Sequence, residues 1–139
     1  MKITIFSSMS KPEFASSVLK IAQDLENAGH QVTIPFETQD VLHGKMDNNR
    51  EDVEVSRKTR LEFFDIIKAS DAVLVTNREK NGIAGYIGGS VLIEMAIAFA
   101  NGKDMYILYP LPEISTMRYV QEINLMKPII LHGDVTKIQ

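Results

Sequence analysis

The chain has 139 residues, of which 45% are hydrophobic and 24% are charged, and its formal net charge is −3. This length suits one domain with a buried core, so we expect a single domain over residues 1–139. The charge balance excludes the basic surface typical of nucleic-acid binding. Neither cysteine chemistry nor a membrane span is expected, because the sequence contains no cysteine and no apolar run near the roughly 20 residues that a span needs. The N-terminus resembles a strand rather than a signal peptide, which predicts a cytoplasmic protein.

Short apolar runs alternate with segments of helical periodicity along the chain. The predicted strands cover residues 3–6, 31–34, 72–75, 104–108 and 127–131. The predicted helices cover about residues 10–28, 49–69, 87–101 and 115–126. Ser10 and Glu13 have the spacing of a capping box at the start of the first helix. Residues 35–49 have no sustained period and predict a loop.

Apolar spacing also predicts which helix faces pack. Leu61, Phe64 and Ile67 form a stripe in the second long helix. The third long helix has a helically spaced set comprising Leu92, Met95, Ala96 and Phe99. The last residues, from His132 onward, are polar and are expected at the surface.

The order of these elements predicts an α/β fold. Five strands that alternate with helices indicate a single doubly wound parallel sheet, with helices on both faces and right-handed crossovers. We predict the flavodoxin-like strand order 2-1-3-4-5. In that order the ligand cleft lies at the carboxyl ends of strands one and three.

A glycine turn and an acidic residue mark the start of the third long helix. Gly88, Gly89 and Ser90 would present free backbone N–H groups to an anion. Glu94 follows one turn later on an otherwise apolar helix, where a carboxylate is costly unless it faces a cleft or has a partner. The plainer alternative is a surface glutamate that complements the helix dipole. A carboxylate in such a cleft suits attack at the anomeric carbon of a sugar.

The topology brings further polar residues to the same edge of the sheet, and Tyr86 could stack on a base or simply pack beside the loop. The predicted catalytic residue is Glu94. The predicted substrate-binding residues are Ser7, Ser8, Met9, Ser10, Asn77, Tyr86, Gly88, Gly89 and Ser90. No metal site is predicted, because the three histidines have no ligand spacing. No cofactor is predicted either, and the chain lacks the P-loop and dinucleotide motifs.

The chain resembles the nucleoside 2-deoxyribosyltransferase-like superfamily, which includes small deoxynucleoside monophosphate N-glycosidases. The likeness covers nearly the whole chain in architecture and peaks at residues 89–98, a glycine-containing turn, a glutamate and a small-residue helix. The resemblance implies that Glu94 is the nucleophile that attacks C1′ and releases the base. It also implies that residues 7–10 contact the nucleoside.

Three positions depart from the family pattern. Ser90 stands where the family usually has glycine, four residues before the glutamate, and Gly88 stands where transferases often have aspartate. Phe63 replaces another family aspartate, eight residues before the Asp71 position. The similarity to cytokinin-riboside monophosphate phosphoribohydrolases is weaker, because Ile87 replaces their proline and the spacing to Glu94 is one residue short.

The sequence therefore predicts an enzyme of N-glycosidic bond cleavage or 2-deoxyribosyl transfer, acting on a nucleoside or nucleotide. The alternative is a nucleotide-binding or sensing module with the same cleft and no turnover, and an assembly scaffold is a third possibility. The related families complete their sites across subunits, so the resemblance implies a homodimer or a higher homo-oligomer. Residues 106–112 are expected to line that interface.

Overall fold

A computed structural model describes residues 1–44 and 52–139 of the chain. The strands are β1 (Lys2–Phe6), β2 (Gln31–Thr33), β3 (Ala72–Val75), β4 (Asp104–Ile107) and β5 (Ile129–Ile130). The α-helices are α1 (Pro12–Asn27), α2 (Thr38–Leu42), α3 (Val53–Ala69), α4 (Gly89–Ala100) and α5 (Val120–Leu125). A 3₁₀ turn, Val135–Lys137, follows β5. No helix in the described ranges is long and apolar enough to cross a membrane.

The five strands form one sheet in the order β2-β1-β3-β4-β5, and every neighbouring pair is parallel. This confirms the predicted doubly wound α/β fold and its strand order. The central strand β3 is buried along its full length, as expected for a parallel strand covered on both faces.

The core has two parts because successive side chains of a strand point to opposite faces of the sheet. Phe6, Val73 and Val75 pack under α3, α4 and α5. Ile3, Ile5 and Leu74 pack under α1 and the 3₁₀ turn on the other face. Helices therefore cover both faces, as predicted.

Helix α1 buries the predicted face but starts differently. Phe14, Val18 and Leu25 are buried. The predicted capping box is wrong, because Lys11 is the N-cap residue and makes no side-chain cap, while the Ser10 hydroxyl bonds to that of Ser8. Pro12 at the first helical position needs no hydrogen-bond partner for its nitrogen, which favours this later start.

The segment after β2 contains an unpredicted short helix, α2. Thr38 is fully buried and its hydroxyl donates to the Pro35 carbonyl at 2.6 Å, which fixes the turn into the helix. The predicted loop is therefore wrong for residues 38–42. Residues 45–51, which include the predicted helix start at residue 49, lie outside the described residues. The described part of α3 begins after Asp52, whose side chain accepts from the Glu54 and Val55 amides.

Two helix faces differ from the predicted stripes. In α3 the buried residues are Phe63 and Ile67, and Leu61 is 51% exposed. In α4 the buried residues are Val91, Met95 and Ala98, whereas Phe99 is 52% exposed. Each helix carries more apolar residues than the sheet can cover, so apolar spacing alone did not define the packed face.

The C-terminal part also departs from expectation. Helix α5 and strand β5 are shorter than predicted. The tail is not wholly at the surface, because Ile138 is 6% exposed and packs against the core under α1. Tyr106, Ile107 and Leu108 are buried within the sheet, which rules out the first half of the predicted interface at residues 106–112.

Candidate active site

A cleft with a volume of about 620 Å³ opens at the carboxyl ends of β1 and β3. The loop of residues 7–10 leaves β1 at this end, and the glycine turn before α4 lies across from it. Helix α3 and the segment around α2 close the remaining sides. Nine of the ten predicted site residues line this cleft: Ser7, Ser8, Met9, Ser10, Tyr86, Gly88, Gly89, Ser90 and Glu94.

The loop after β1 presents hydroxyl groups to the cleft. The Ser7 hydroxyl donates to the Ser8 carbonyl at 3.2 Å, and the Ser8 and Ser10 hydroxyl oxygens are 3.2 Å apart. Met9 is 6% exposed and packs against the sheet, which anchors the loop. The hydroxyls can therefore meet a ligand without being tied into a helix cap.

The glycine turn leads directly into α4. Gly88 is the extended N-cap residue and provides no side-chain cap, so the amides of the first turn have no capping partner from that residue. A Cβ on Gly89 would meet nothing within 4 Å, so this part of the backbone is open to close approach. The Tyr119 hydroxyl donates to the Ile87 carbonyl and so fixes the chain just before the turn.

Glu94 lies one turn into α4, is partly buried and faces the cleft. The pKa of its carboxyl group is raised from 4.5 to about 8, chiefly because burial removes the charged form from water. The neighbouring carboxylate of Glu37 contributes to this rise, and the Arg60 guanidinium opposes it. Glu94 is therefore mostly protonated at neutral pH in the unliganded protein.

Sequence reasoning missed several residues of the cleft wall. Arg60 on α3 lines the cleft and donates to the Ser90 hydroxyl at 3.5 Å. Glu37 enters the site from the N-cap position of α2. Neither could be found from the sequence, because Arg60 belongs to a charged run that suited a solvated face, and Glu37 lay in a predicted loop.

An apolar wall faces the polar groups of the cleft. The rings of Phe36 and Phe63 meet edge to face, with centroids 5.3 Å apart, and Phe63 also lies against Phe6 at 6.1 Å. Phe36 is 45% exposed and lines the cleft. Such a wall suits a planar aromatic ligand. Phe63, at the position where the superfamily that the sequence resembles has an aspartate, is thus part of the cleft but supplies no acid or base.

Asn77 is the one predicted site residue that does not line the cleft. Its side chain is 2% exposed, donates to the carbonyls of Gly85 and Tyr109, and accepts from the Tyr109 amide at 2.8 Å. These bonds use its donors and its acceptor within the protein. The structure therefore corrects its predicted role from ligand contact to a clamp on the loop between β3 and α4.

No group of three or more His, Cys, Asp or Glu side chains in residues 1–44 and 52–139 could hold a metal ion. Among the described residues, the polar side chains that line the cleft are hydroxyls, two cations and three carboxyl groups. The charged residues that line it are Glu37, Asp40, Arg60, Lys80 and Glu94. This mixture can bind a polar ligand with an anionic group while presenting one weakly acidic carboxyl group to it.

Comparison with solved structures identifies proteins of the same fold. A 2-deoxyribosyltransferase from the psychrotolerant bacterium Bacillus psychrosaccharolyticus superposes with a TM-score of 0.62, at 22% identity over 82% of this chain and 76% of that one. The CMP N-glycosidase BcmB from Clostridium botulinum superposes with a TM-score of 0.54, at 15% identity over 94% and 85% of the two chains. This chain has the fold of those two enzymes. The resemblance predicted from the sequence is thereby confirmed for the fold.

The 2-deoxyribosyltransferase fold does not by itself decide the chemistry. FerB, an NAD(P)H:acceptor oxidoreductase and flavoenzyme from Paracoccus denitrificans, also superposes, with a TM-score of 0.52 at 16% identity over 94% of this chain and 73% of that one. The sequence matches no protein-family model, and no curated protein matches it significantly. The activity must therefore be argued from the cleft.

Proposed function

We propose that the protein cleaves or exchanges the N-glycosidic bond of a nucleoside or nucleoside monophosphate, with Glu94 as the nucleophile. One observation carries this proposal: the Glu94 carboxyl group faces a cleft of about 620 Å³ from within an otherwise apolar helix, beside an open glycine turn. An ionisable group that lies in a cleft and has a strongly shifted pKa is a candidate for a functional residue.

The proposed reaction has two steps. A Glu94 carboxylate oxygen attacks C1′, the bond from C1′ to the base breaks, and the base leaves with the bonding electrons and takes a proton from water. Water then attacks C1′ of the glycosyl ester, which releases the sugar and regenerates Glu94. Attack by a second base in place of water would make the same site a transferase.

The walls of the cleft support a placement of the substrate. The exposed ring of Phe36, backed by Phe63, offers a face or edge to the base. The hydroxyls of Ser7, Ser8 and Ser10 offer hydrogen bonds to the sugar. The base would thus lie on the apolar side and the sugar between that wall and Glu94.

The ionisation of Glu94 constrains this mechanism. Attack requires the carboxylate, while the pKa of about 8 keeps most of the protein protonated at pH 7. We therefore expect kcat/KM to rise about tenfold per pH unit below that pKa and to level off above it. A rate that falls over the same range would mean that Glu94 acts as an acid.

The test incubates the protein with each of the four common deoxynucleosides and with each of their 5′-monophosphates. Chromatography measures the free base that is released. We expect at least one substrate to be cleaved and Glu94→Gln to lower the rate by a factor of 10³ or more, on the scale of losing a nucleophile. Glu122→Gln, a matched change at an exposed position of α5, should leave the rate unchanged. Adding a second free base distinguishes transfer, which yields a new nucleoside, from hydrolysis.

A non-catalytic nucleotide-binding module is the second candidate. It is favoured by Phe63, which stands where the family's aspartate would lie and leaves the cleft without that group. In that case nucleotides would raise the melting temperature of the protein, yet no base would be released at any pH up to 9.

We further propose that two copies of the chain associate through the outward face of α4. Ile93 and Phe99 are 49% and 52% exposed on this face, and Glu94 is the only ionisable residue of the helix. An exposed helix face without charge is typical of an interface. Residues 109–112, the part of the predicted interface that is not buried within the protein, are not part of this face.

A further inference from the structure

Lys80 is held at the cleft by a tight hairpin in the loop between β3 and α4. Lys80 and Ile83 exchange both backbone hydrogen bonds, at 3.2 and 3.0 Å. The two residues between them, Asn81 and Gly82, have φ values of 55° and 74°, as a type I′ turn requires. Ile83 packs against the core, so the hairpin is anchored and Lys80 has a fixed position.

The Lys80 side chain reaches the loop of residues 7–10, which carries the serine hydroxyls. Its ammonium group donates to the Ser8 hydroxyl at 3.2 Å and lies 5.7 Å from the centroid of the Tyr86 ring. The Ser8 hydroxyl is in turn 3.2 Å from that of Ser10. Among the ion pairs of residues 1–44 and 52–139, none pairs Lys80 with a carboxylate. Its charge is thus oriented by neutral groups and is available to an anion.

The two cations of the cleft have different neighbours. Arg60 bonds to Ser90 and acts on the pKa of Glu94, whereas Lys80 is not among the charges that shift that pKa. Lys80 lines the same cleft but contacts the loop of residues 7–10 and the Tyr86 ring. In a nucleoside 5′-monophosphate the phosphate is attached to C5′, several bonds from C1′, so it needs a cation other than the one beside Glu94.

We propose that Lys80, together with the hydroxyls of Ser8 and Ser10, binds the 5′-phosphate, so that the substrate is a nucleoside 5′-monophosphate rather than a free nucleoside. A lysine acts on phosphate as a point charge, and adjacent hydroxyls complete the hydrogen bonds. This inference rests on the proposed function and narrows its substrate class.

The experiment measures binding by calorimetry, with Glu94→Gln protein to prevent turnover, for each deoxynucleoside and its 5′-monophosphate. We expect at least one monophosphate to bind about tenfold or more tightly than its nucleoside, the scale of one charge-assisted hydrogen bond. Adding Lys80→Met should remove that difference and leave nucleoside affinity within about twofold, while Lys80→Arg should keep most of it. Lys103→Met, beyond the other end of α4, is the matched control and should change neither affinity.

Equal affinity for nucleoside and monophosphate, or a Lys80→Met variant that weakens both alike, would overturn the inference. Lys80→Arg shows whether the position tolerates change without loss of folding. Base release from nucleosides and monophosphates at similar rates would leave the proposed function standing without this inference. Binding of monophosphates that depends on Lys80, without base release by the native protein, would leave the inference standing without the proposed enzyme activity.

Discussion

At the scale of single residues, the fold disfavours the charged form of the Glu94 carboxyl group. Its pKa rises to about 8 because desolvation and the Glu37 carboxylate both disfavour the charged form. A carboxyl group whose pKa is higher in the folded state than in the unfolded state binds its proton more tightly when folded. The contribution of the protonated Glu94 carboxyl group to stability is therefore complete below pH 4.5, and it is lost as the pH rises from 4.5 to about 8. The ionised form of Glu94 in the cleft thus lowers the free energy of unfolding of the protein.

This reasoning predicts how Glu94→Gln changes stability with pH. Glutamine mimics the protonated carboxyl group and cannot ionise, so the variant should match the native protein at pH 4.5. At pH 8 we expect the variant to be more stable by an amount on the order of 4 kcal/mol, because the pKa rises from 4.5 to about 8 and each tenfold change in the ionisation constant corresponds to about 1.4 kcal/mol. Urea unfolding at both pH values measures the difference. An equal effect at the two pH values would mean that Glu94 ionises in the folded state as it does in water.

At the scale of elements, the loop between β3 and α4 is positioned by contacts on two sides. Asn77 ties the Gly85 and Tyr109 backbones together, and Gly85 has a φ of 76°. A Cβ on Gly85 would lie 2.2 Å from the Pro110 carbonyl oxygen, so the two loops meet backbone to backbone. Lys80 and Tyr86, which both line the cleft, lie on either side of Gly85 in the sequence.

We therefore expect Gly85→Ala to destabilise the protein by about 2 kcal/mol or more, from the backbone clash together with the strain of a positive φ. Gly82→Ala is the matched control, because Gly82 has a φ of 74° but open space around its Cβ position. Its cost should be that of the strain alone, about 1 kcal/mol. Chemical denaturation of the two variants checks the ranking. Equal losses would contradict a close approach at Gly85.

At the scale of the whole molecule, the outward face of α4 is the surface most suited to contact a second copy. Light scattering after gel filtration should show the native chain as a dimer or larger. Phe99→Glu places a charge on that face and should yield monomers without loss of folding, because Phe99 is half exposed. Ile114→Glu, at a similarly exposed position in the loop before α5, should leave the assembly intact. A native chain that is monomeric at high concentration would contradict the proposed interface.

The sequence by itself determined the layout of the fold. Apolar runs in β1 and β3 and glycines after α1 and α4 encode local backbone states, and parallel strands with right-handed crossovers leave few topologies. Most of the candidate site followed from this layout, because the carboxyl ends of β1 and β3 must meet at one edge. Glu94 could be identified because a carboxylate on an apolar helix is locally anomalous.

Only the tertiary structure decided what lies opposite Glu94. Arg60, Phe36 and Lys80 come from segments whose local patterns suit solvent or loops, and their convergence depends on distances between elements that are far apart in the chain. Asn77 is polar, follows a strand at the right edge and still faces inward, because unpaired backbone groups of two loops needed its side chain. Local sequence specifies backbone conformation and the spacing of apolar side chains, whereas the partners of each polar group are set by packing between distant segments.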